Sequence, residues 1–231
     1  MNRTITNSIR YIIDEFVPPI IRDSKWFMFP FFFIFFKGKK INLYMDFKKL
    51  VYQMSEEEYE EAYRELDCIG TDRPTDLNQL SVNFMLKNIS SDAINLLDVG
   101  CGRGYWLNKL GKLTDLKLTG FDMHDSVPLS KANYVQGRIE NLPFPDKSFD
   151  IVTCHHTLEH LKDLPSAISE LKRVARKQII IVVPCQRYYY YTLDMHINFF
   201  PIKEYLQDAI KVEKNTCVNI WGDWVYIGFI D

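Results

Sequence analysis

The chain has 231 residues, of which 47% are hydrophobic and 25% are charged, and its formal net charge is −2. This length suffices for one α/β core of ordinary size together with an additional segment. The balanced charge provides no broad basic surface, which makes nucleic acid a poor candidate partner. The five cysteines are dispersed without metal-ligand spacing. We therefore expect reduced thiols, no metal site and a cytoplasmic location.

The N-terminal third differs in composition from the rest, and we expect residues 1–75 to form an extension, either a membrane-interface segment or a lid, and residues 76–231 to form the main domain. Within the extension, residues 26–36 are almost entirely aromatic, contain Pro30 and are flanked by lysines. A bilayer span needs about 20 apolar residues, so this run is too short to cross a membrane. Two interpretations remain open: the run lies peripherally on the inner face of a membrane, or it packs against the main domain or a second subunit.

Two helices are predicted between this run and the first strand of the main domain. Ser55 is followed three residues later by Glu58, which is the pattern of a capping box that begins a helix continuing to about residue 67. A second helix is predicted from near Asp76 to Asn88, with Leu77, Leu80 and Phe84 on one face.

From residue 94 onward, short apolar runs alternate with helical patterns. Such alternation predicts a parallel sheet wrapped by helices, with ligands bound at the carboxyl ends of the strands. The predicted strands are residues 94–99, 116–121, 133–136, 149–154, 178–183, 210–218 and 224–230.

The first of these strands runs directly into a turn with alternating glycines at Gly100, Gly102 and Gly104. Glycine permits positive φ and removes the Cβ atoms that would keep a ligand away from the main chain. The second strand ends at Asp122, about 20 residues beyond the turn, where a carboxylate can accept hydrogen bonds from ribose hydroxyls. Together they predict a nucleotide site. The spacing of the glycines differs from Gly-x-Gly-x-x-Gly, which disfavours an NAD-type oxidoreductase.

With the segment 142–152 and Leu158-Glu159-His160 following in order, residues 90 to 231 resemble the class I S-adenosylmethionine-dependent methyltransferases, specifically the type-11 group. The resemblance implies an α/β, Rossmann-like fold whose seven-stranded, mostly parallel sheet has helices on both faces and an antiparallel last strand. It also implies S-adenosyl-L-methionine as the cofactor.

The resemblance assigns roles to individual residues. Asp98 would order the glycine turn and the methionine end of the cofactor, and Asp122 would hold the ribose. Related proteins commonly read Gly-Asp-Ala after the third strand, whereas this chain reads Gly137-Arg138-Ile139-Glu140. Because arginine has no acceptor atom, the backbone of Ile139 and the Glu140 carboxylate are the candidates for the adenine contact. The cofactor-binding residues implied are Asp98, Gly100, Cys101, Gly102, Gly104, Asp122, Met123, Arg138, Ile139, Glu140 and His155.

Three histidines are candidate general bases, since histidine titrates near neutrality. His155 and His156 follow the fourth strand, where each could instead contact the cofactor or the substrate or make structural hydrogen bonds. His196 comes after the tyrosine run 188–191, a segment expected to face the acceptor because it follows the carboxyl end of the fifth strand.

Methyl transfer depends chiefly on aligning the acceptor with the methyl group. We expect a methyltransferase that acts on a small-molecule or lipid-linked acceptor, glycosyl or quinone-like, most favourably at oxygen. The alternative is a noncatalytic cofactor-binding module anchored to a membrane or a partner, which the Arg138 departure favours.

Overall fold

The computed structural model describes residues 12–13, 16–70, 74–125, 127 and 129–230, and side chains are described for these ranges except 65–70. The chain divides into two compact units. The first combines Met1–Asp72 with Tyr188–Ile197, and the second combines Arg73–Arg187 with Asn198–Asp231. Residues 188–197, which we expected within the domain 76–231, therefore pack with the N-terminal segment. The division at residue 75 stays a prediction.

The first unit is helical. Its helices are α1 Pro19–Arg22, α2 Lys25–Phe35, α3 Ile41–Met45, α4 Phe47–Leu50 and α5 Glu56–Gly70. The predicted capping box at the start of α5 is confirmed: the Ser55 N–H donates to Glu58 Oε2 at 2.8 Å, and the Glu58 N–H donates to Ser55 Oγ at 3.2 Å. These bonds satisfy backbone donors that a helix start otherwise leaves without partners.

The aromatic run forms α2, and one of its faces supplies the core of the first unit. Met28, Phe32 and Phe36 are buried at four-residue spacing, and the Phe36 ring stacks on Tyr44 with 3.9 Å between ring centroids. The opposite face is open to solvent. In the described part of the chain, no helix is long and apolar enough to cross a membrane.

The tyrosine run, residues 188–191, belongs to this unit because its rings contact side chains of the N-terminal helices. Tyr188 lies under the Lys48 ammonium at 4.4 Å, and Tyr189 lies under the Arg22 guanidinium at 4.6 Å. Tyr191 packs edge-on against Phe32, and Met195 enters the same core with 1% of its surface exposed. Cation–π contacts and aromatic burial thus hold this late segment among the N-terminal helices.

The second unit is built on a seven-stranded sheet. Its strands are β1 Asn95–Val99, β2 Lys117–Asp122, β3 Ala132–Gln136, β4 Phe149–His155, β5 Ala175–Pro184, β6 Lys214–Ile220 and β7 Asp223–Phe229. They lie in the order β3-β2-β1-β4-β5-β7-β6, and β7 is antiparallel to both of its neighbours, β5 and β6. The predicted fold class is confirmed.

Helices cover both faces of this sheet and bury a separate apolar cluster on each. Helices α6 Gln79–Asn88 and α7 Tyr105–Leu113 contribute to one cluster, which includes Met85 and Leu110. Helices α8 Leu164–Val174 and α9 Lys203–Ile210 contribute to the other, which includes Leu171 and Leu206. The central strands β1, β4 and β5 are therefore buried on both faces, as their apolar sequences require.

Two local predictions were wrong in detail. The strand predicted at 210–218 begins only at Lys214, because Leu206 and Ile210 are buried at helical spacing and extend α9 to residue 210. In α6, Leu80 is 57% exposed whereas Val82 and Met85 are buried. The reason is the N-cap: Asn78 accepts from the Ser81 N–H at 2.8 Å and donates to Asp223 on β7 at 2.8 Å, which sets the rotation of the helix.

Candidate active site

The carboxyl ends of β1 and β4 lie side by side where the strand order reverses. Val99 and Cys154 are paired in the register, so the residues that follow them enter the same edge of the sheet. The chain leaves β1 toward β2 on one side and β4 toward β5 on the other. This divergence opens the crevice in which open α/β sheets bind their ligands.

The glycine turn after β1 is tied to the end of β2 by backbone hydrogen bonds. Gly100 N–H and Cys101 N–H both donate to the Phe121 carbonyl, at 2.8 and 3.2 Å. Gly102 N–H donates to Asp122 Oδ2 at 2.7 Å, and Gly104 N–H donates to the Cys101 carbonyl at 2.9 Å. The turn is thus preorganised before any ligand arrives.

The three glycines are needed for different reasons, although all have positive φ, at +70°, +51° and +72°. A Cβ on Gly100 would collide with Thr157, and one on Gly104 would collide with Leu129. A Cβ on Gly102 would meet no atom within 4 Å. Gly102 therefore presents bare backbone to open space, and the turn fits a cofactor that lies against the main chain.

Asp122 connects the turn to the rest of this edge. Its side chain is nearly buried, with the residue 8% exposed, and it also accepts from the His124 N–H at 3.3 Å. The neighbouring Met123 is half-buried, and its carbonyl accepts from the Gln136 amide at 3.1 Å. Asp122 is therefore held at the rim of the turn, where its ribose-binding role stays a prediction.

A buried carboxylate and imidazole lie behind the turn. Thr153 Oγ1 donates to Asp98 Oδ1 at 2.7 Å, and His155 Nδ1 lies 3.4 Å from the same oxygen. Burial raises the pKa of Asp98 to about 7 and lowers the pKa of His155 to about 3. Between about pH 3 and pH 7 the pair therefore keeps one proton, and the carboxyl holds it.

His156 is clamped between two acids and has a positive φ of 49°. Its Nδ1 lies 3.3 Å from Glu159 and its Nε2 lies 3.7 Å from Asp223. Burial opposes the charged form, but the nearby carboxylates of Asp223 and Glu159 outweigh it and raise the pKa of His156 to about 10. The raised pKa favours the protonated form of His156 at neutral pH, and its role as a base stays a prediction.

The local environment also decides how well the other two candidate bases, His155 and His196, can accept a proton. His155 is neutral at neutral pH, but with its pKa near 3 it is a weak proton acceptor. His196 belongs to the first unit, where its Nε2 lies 3.4 Å from Asp194 and its carbonyl accepts from Thr192. Its role as a base stays a prediction.

The segment that departs from the family pattern lies next to Asp122. Gly137 N–H donates to the Asp122 carbonyl at 2.9 Å, and Arg138 Nε lies 3.7 Å from Glu140 Oε2. The Ile139 side chain is buried in the core, so only its backbone could face a cofactor. Cys101 is also buried, which raises the pKa of its thiol and leaves it unreactive.

Four residues that sequence reasoning missed complete this edge: Thr153, Thr157, Glu159 and Asp223. Thr153 had a signal, since it lies two residues before His155 and so shares its face of β4. Asp223 had none, because only the pairing of β7 with β5 brings it near His156.

Comparison with known proteins shows which protein family this chain resembles. Residues 97–183 match a family described as a methyltransferase domain. The ajmaline N-methyltransferase of Rauvolfia serpentina is 32% identical over 101 residues, which cover 38% of this chain and 35% of that protein. The ubiquinone biosynthesis O-methyltransferase of Hahella chejuensis is 31% identical over 128 residues, which cover 50% of this chain and 53% of that protein. The chain thus spans about a third to a half of the length of these relatives.

The fold of the chain is also similar to that of a solved structure. The SAM-dependent methyltransferase from Aquifex aeolicus superposes with a TM-score of 0.57 at 16% identity, covering 73% of this chain and 98% of that one. At this identity the likeness concerns the fold.

Proposed function

We propose that this chain, whose second unit is a class I S-adenosylmethionine-dependent methyltransferase domain, transfers a methyl group from that cofactor to an acidic oxygen of a small or lipid-linked acceptor. The observation that carries the proposal is the glycine turn at the reversal point of the sheet, with Gly102 open to solvent and bonded to Asp122. Bound there, S-adenosylmethionine would supply an activated methyl group on its sulfonium.

The chain's own contribution is to bind and to align. Gly102 allows close approach of the cofactor, and Asp122 offers acceptor oxygens at the rim of the turn. Asp98 lies behind the turn and is fixed by Thr153. Orientation of this kind can supply up to about 7–11 kcal/mol of the barrier, more than a single base contributes.

The acceptor is constrained by the two histidines at this edge. His156 is already protonated and His155 is a weak acceptor, so neither removes a proton efficiently at neutral pH. An acceptor oxygen that ionises by itself, such as a carboxylate or an acidic phenol of a quinone-like precursor, needs no such base. For this class we expect turnover to rise with pH through the acceptor's own pKa.

The relatives support the methyl-transfer chemistry and leave the acceptor atom open, because one is named as an N-methyltransferase and the other as an O-methyltransferase. The shifted pKa values of His155 and His156 favour an acceptor that needs no base, which among oxygens is one that ionises by itself. A lipid-linked acceptor is favoured by the exposed aromatic face of α2, whose Trp26 is 71% exposed.

Calorimetry with S-adenosylmethionine tests the site. We expect saturable binding to the wild-type chain, and we expect Gly102→Ala to abolish it. The new Cβ enters space that is open in the protein, so it obstructs the ligand while costing about 1 kcal/mol of backbone strain. Asp122→Ala should weaken binding by about 1.5–3 kcal/mol, the scale of a hydrogen bond to a charged group.

The matched control is Asp115→Ala, because Asp115 is an exposed aspartate in the loop before β2. Its affinity should equal that of the wild type. Circular dichroism establishes that each variant is folded. Wild-type affinity in folded Gly102→Ala and Asp122→Ala would exclude the glycine turn as the cofactor site, and binding without any methyl transfer would favour a noncatalytic module.

A further inference from the structure

Exposed apolar side chains concentrate in one short part of the first unit. Among the described residues, 16 large hydrophobic side chains are exposed, and 8 of them fall between residues 12 and 34. They are Ile12, Phe16, Ile20, Trp26, Phe29, Phe31, Phe33 and Ile34. Single exposed apolar residues are ordinary, whereas a cluster of this density marks a contact surface.

Helix α2 carries the centre of this cluster. Its inward face is the buried series Met28, Phe32 and Phe36, and its outward face holds Trp26 at 71% exposure, Phe33 at 51% and Ile34 at 76%. A helix that is apolar on both faces has its outward side in an apolar environment when it functions. The first unit leaves that side uncovered within the described residues.

The length of α2 restricts what that environment is. Eleven residues make a helix of about 16 Å, roughly half the thickness of a bilayer core. A helix of this length with one face packed on protein can lie in a membrane interface but cannot span it.

Exposed lysines lie at both ends of α2. Lys25 begins α2, and Lys37, Lys39 and Lys40 are exposed in the turn after it, where Lys37, Gly38 and Lys40 have positive φ. Lys25 lies 3.3 Å from Asp46. No described acidic side chain forms an ion pair with Lys37 or Lys39.

We propose that the aromatic–basic surface, defined as Trp26, Phe29, Phe33 and Ile34 with Lys37 and Lys39, docks on an anionic lipid bilayer. The aromatic side chains enter the interface, and the ammonium groups meet the headgroups. A second copy of the chain is disfavoured as the occupant. In an antiparallel two-fold contact along α2, Lys25 of one copy would lie next to Lys37 and Lys39 of the other. The proposal does not rest on methyl transfer, since only residues of the first unit take part.

Co-sedimentation of the full chain with vesicles tests the proposal. Vesicles of phosphatidylcholine mixed with phosphatidylserine should bind the chain at low salt, and vesicles of phosphatidylcholine alone should bind it more weakly. Lys37→Gln with Lys39→Gln should lower partitioning onto the anionic vesicles about 30-fold, the factor that corresponds to about 1 kcal/mol per lysine. Trp26→Ser should lower it at least about tenfold by removing buried apolar area.

Matched controls test whether the location of these residues, and not only their type, determines vesicle binding. Trp221 is 56% exposed in the second unit, so Trp221→Ser should leave partitioning unchanged. Lys112→Gln with Lys117→Gln removes the same charge from exposed positions elsewhere and should also have no effect. Calorimetry with S-adenosylmethionine on Trp26→Ser reports the cofactor site separately.

Three results would overturn the proposal. The first is a folded wild-type chain that stays in the supernatant with anionic vesicles at low salt. The second is equal loss of partitioning in the control variants. The third is a wild-type dimer in light scattering that becomes monomeric in Trp26→Ser, because the surface would then join two copies of the chain.

Discussion

The pairing of Asp98 with His155 shows how burial can set the protonation of two residues together. In the folded chain the carboxyl has a pKa near 7 and the imidazole a pKa near 3, whereas their ordinary values are 3.8 and 6.5. Between about pH 4 and pH 6.5 the pair binds one proton in either state, on the carboxyl when folded and on the imidazole when unfolded. The net pH dependence of stability from this pair is therefore small.

Single variants should uncover the two opposing contributions. In His155→Gln only Asp98 remains, and because its folded pKa is raised, stability should fall as pH rises from about 4 to about 7. In Asp98→Asn only His155 remains, and because its folded pKa is lowered, stability should fall as pH drops from about 6.5 to about 3. Each slope should reach at most about 1.4 kcal/mol per pH unit relative to wild type.

Urea unfolding at several pH values measures these slopes, with the wild-type chain as the reference. Slopes of the same sign in the two variants would contradict a single proton kept by the pair. At neutral pH, the glycine turn therefore has a neutral His155 imidazole and an Asp98 carboxyl near its pKa behind it. A positively charged ligand bound in the turn would favour the ionised form of Asp98.

At the scale of elements, local chemistry decides where helices begin. Ser55 and Glu58 exchange hydrogen bonds at the start of α5, and Asn78 caps α6 while reaching Asp223 on β7. The first cap is local and was predictable, whereas the second joins a helix start to a distant strand. The cap at Asn78 therefore sets which face of α6 is buried.

Loss of the cap at α5 should cost a moderate amount of stability. Ser55→Ala removes the hydroxyl that accepts from the Glu58 N–H, and we expect the free energy of unfolding to fall by about 0.5–2 kcal/mol. Ser55→Thr retains a hydroxyl that accepts from the Glu58 N–H and donates to Glu57 Oε2, so it should stay near the wild-type value. Chemical denaturation measures both, and equal stability of Ser55→Ala and wild type would show that the cap contributes nothing.

At the scale of the whole molecule, the chain leaves its second unit after residue 187 and returns at residue 198. The intervening segment supplies Met195 to the core of the first unit, although it is far from the N-terminal helices in sequence. The first unit is thus completed by a segment from the later part of the chain.

Because residues 188–197 belong to the first unit, a substitution in this segment should destabilise the first unit. Met195→Ala leaves a cavity in the first unit and should cost about 2–5 kcal/mol, with faster amide exchange in α2 to α4 and unchanged exchange in β1, β4 and β5. The control Leu206→Ala, at a fully buried position of the second unit, should show the reverse pattern. Hydrogen exchange measured by mass spectrometry separates them. Faster exchange confined to the sheet in Met195→Ala would contradict the assignment of residues 188–197 to the first unit.

The sequence by itself located most of the strands, the glycine turn and Asp122 at the end of a strand, because each of these signals lies in residues that are neighbours in the chain. The seven-stranded sheet with one antiparallel strand was implied by the resemblance to class I methyltransferases. An apolar strand, a glycine turn and a following helix are local signals, whereas the strand order β3-β2-β1-β4-β5-β7-β6 depends on pairing between distant segments. The capping box of α5 is local for the same reason.

The tertiary structure decided what the histidines can do and where the tyrosines lie. The protonation of His156 depends on Asp223, which only strand pairing brings near it, and that of His155 depends on burial by the folded sheet. The rings of Tyr188 and Tyr189 contact cations from the N-terminal helices, which no sequence spacing indicates. Electrostatic environment and long-range packing arise from groups distant in the chain, so a local pattern cannot encode them.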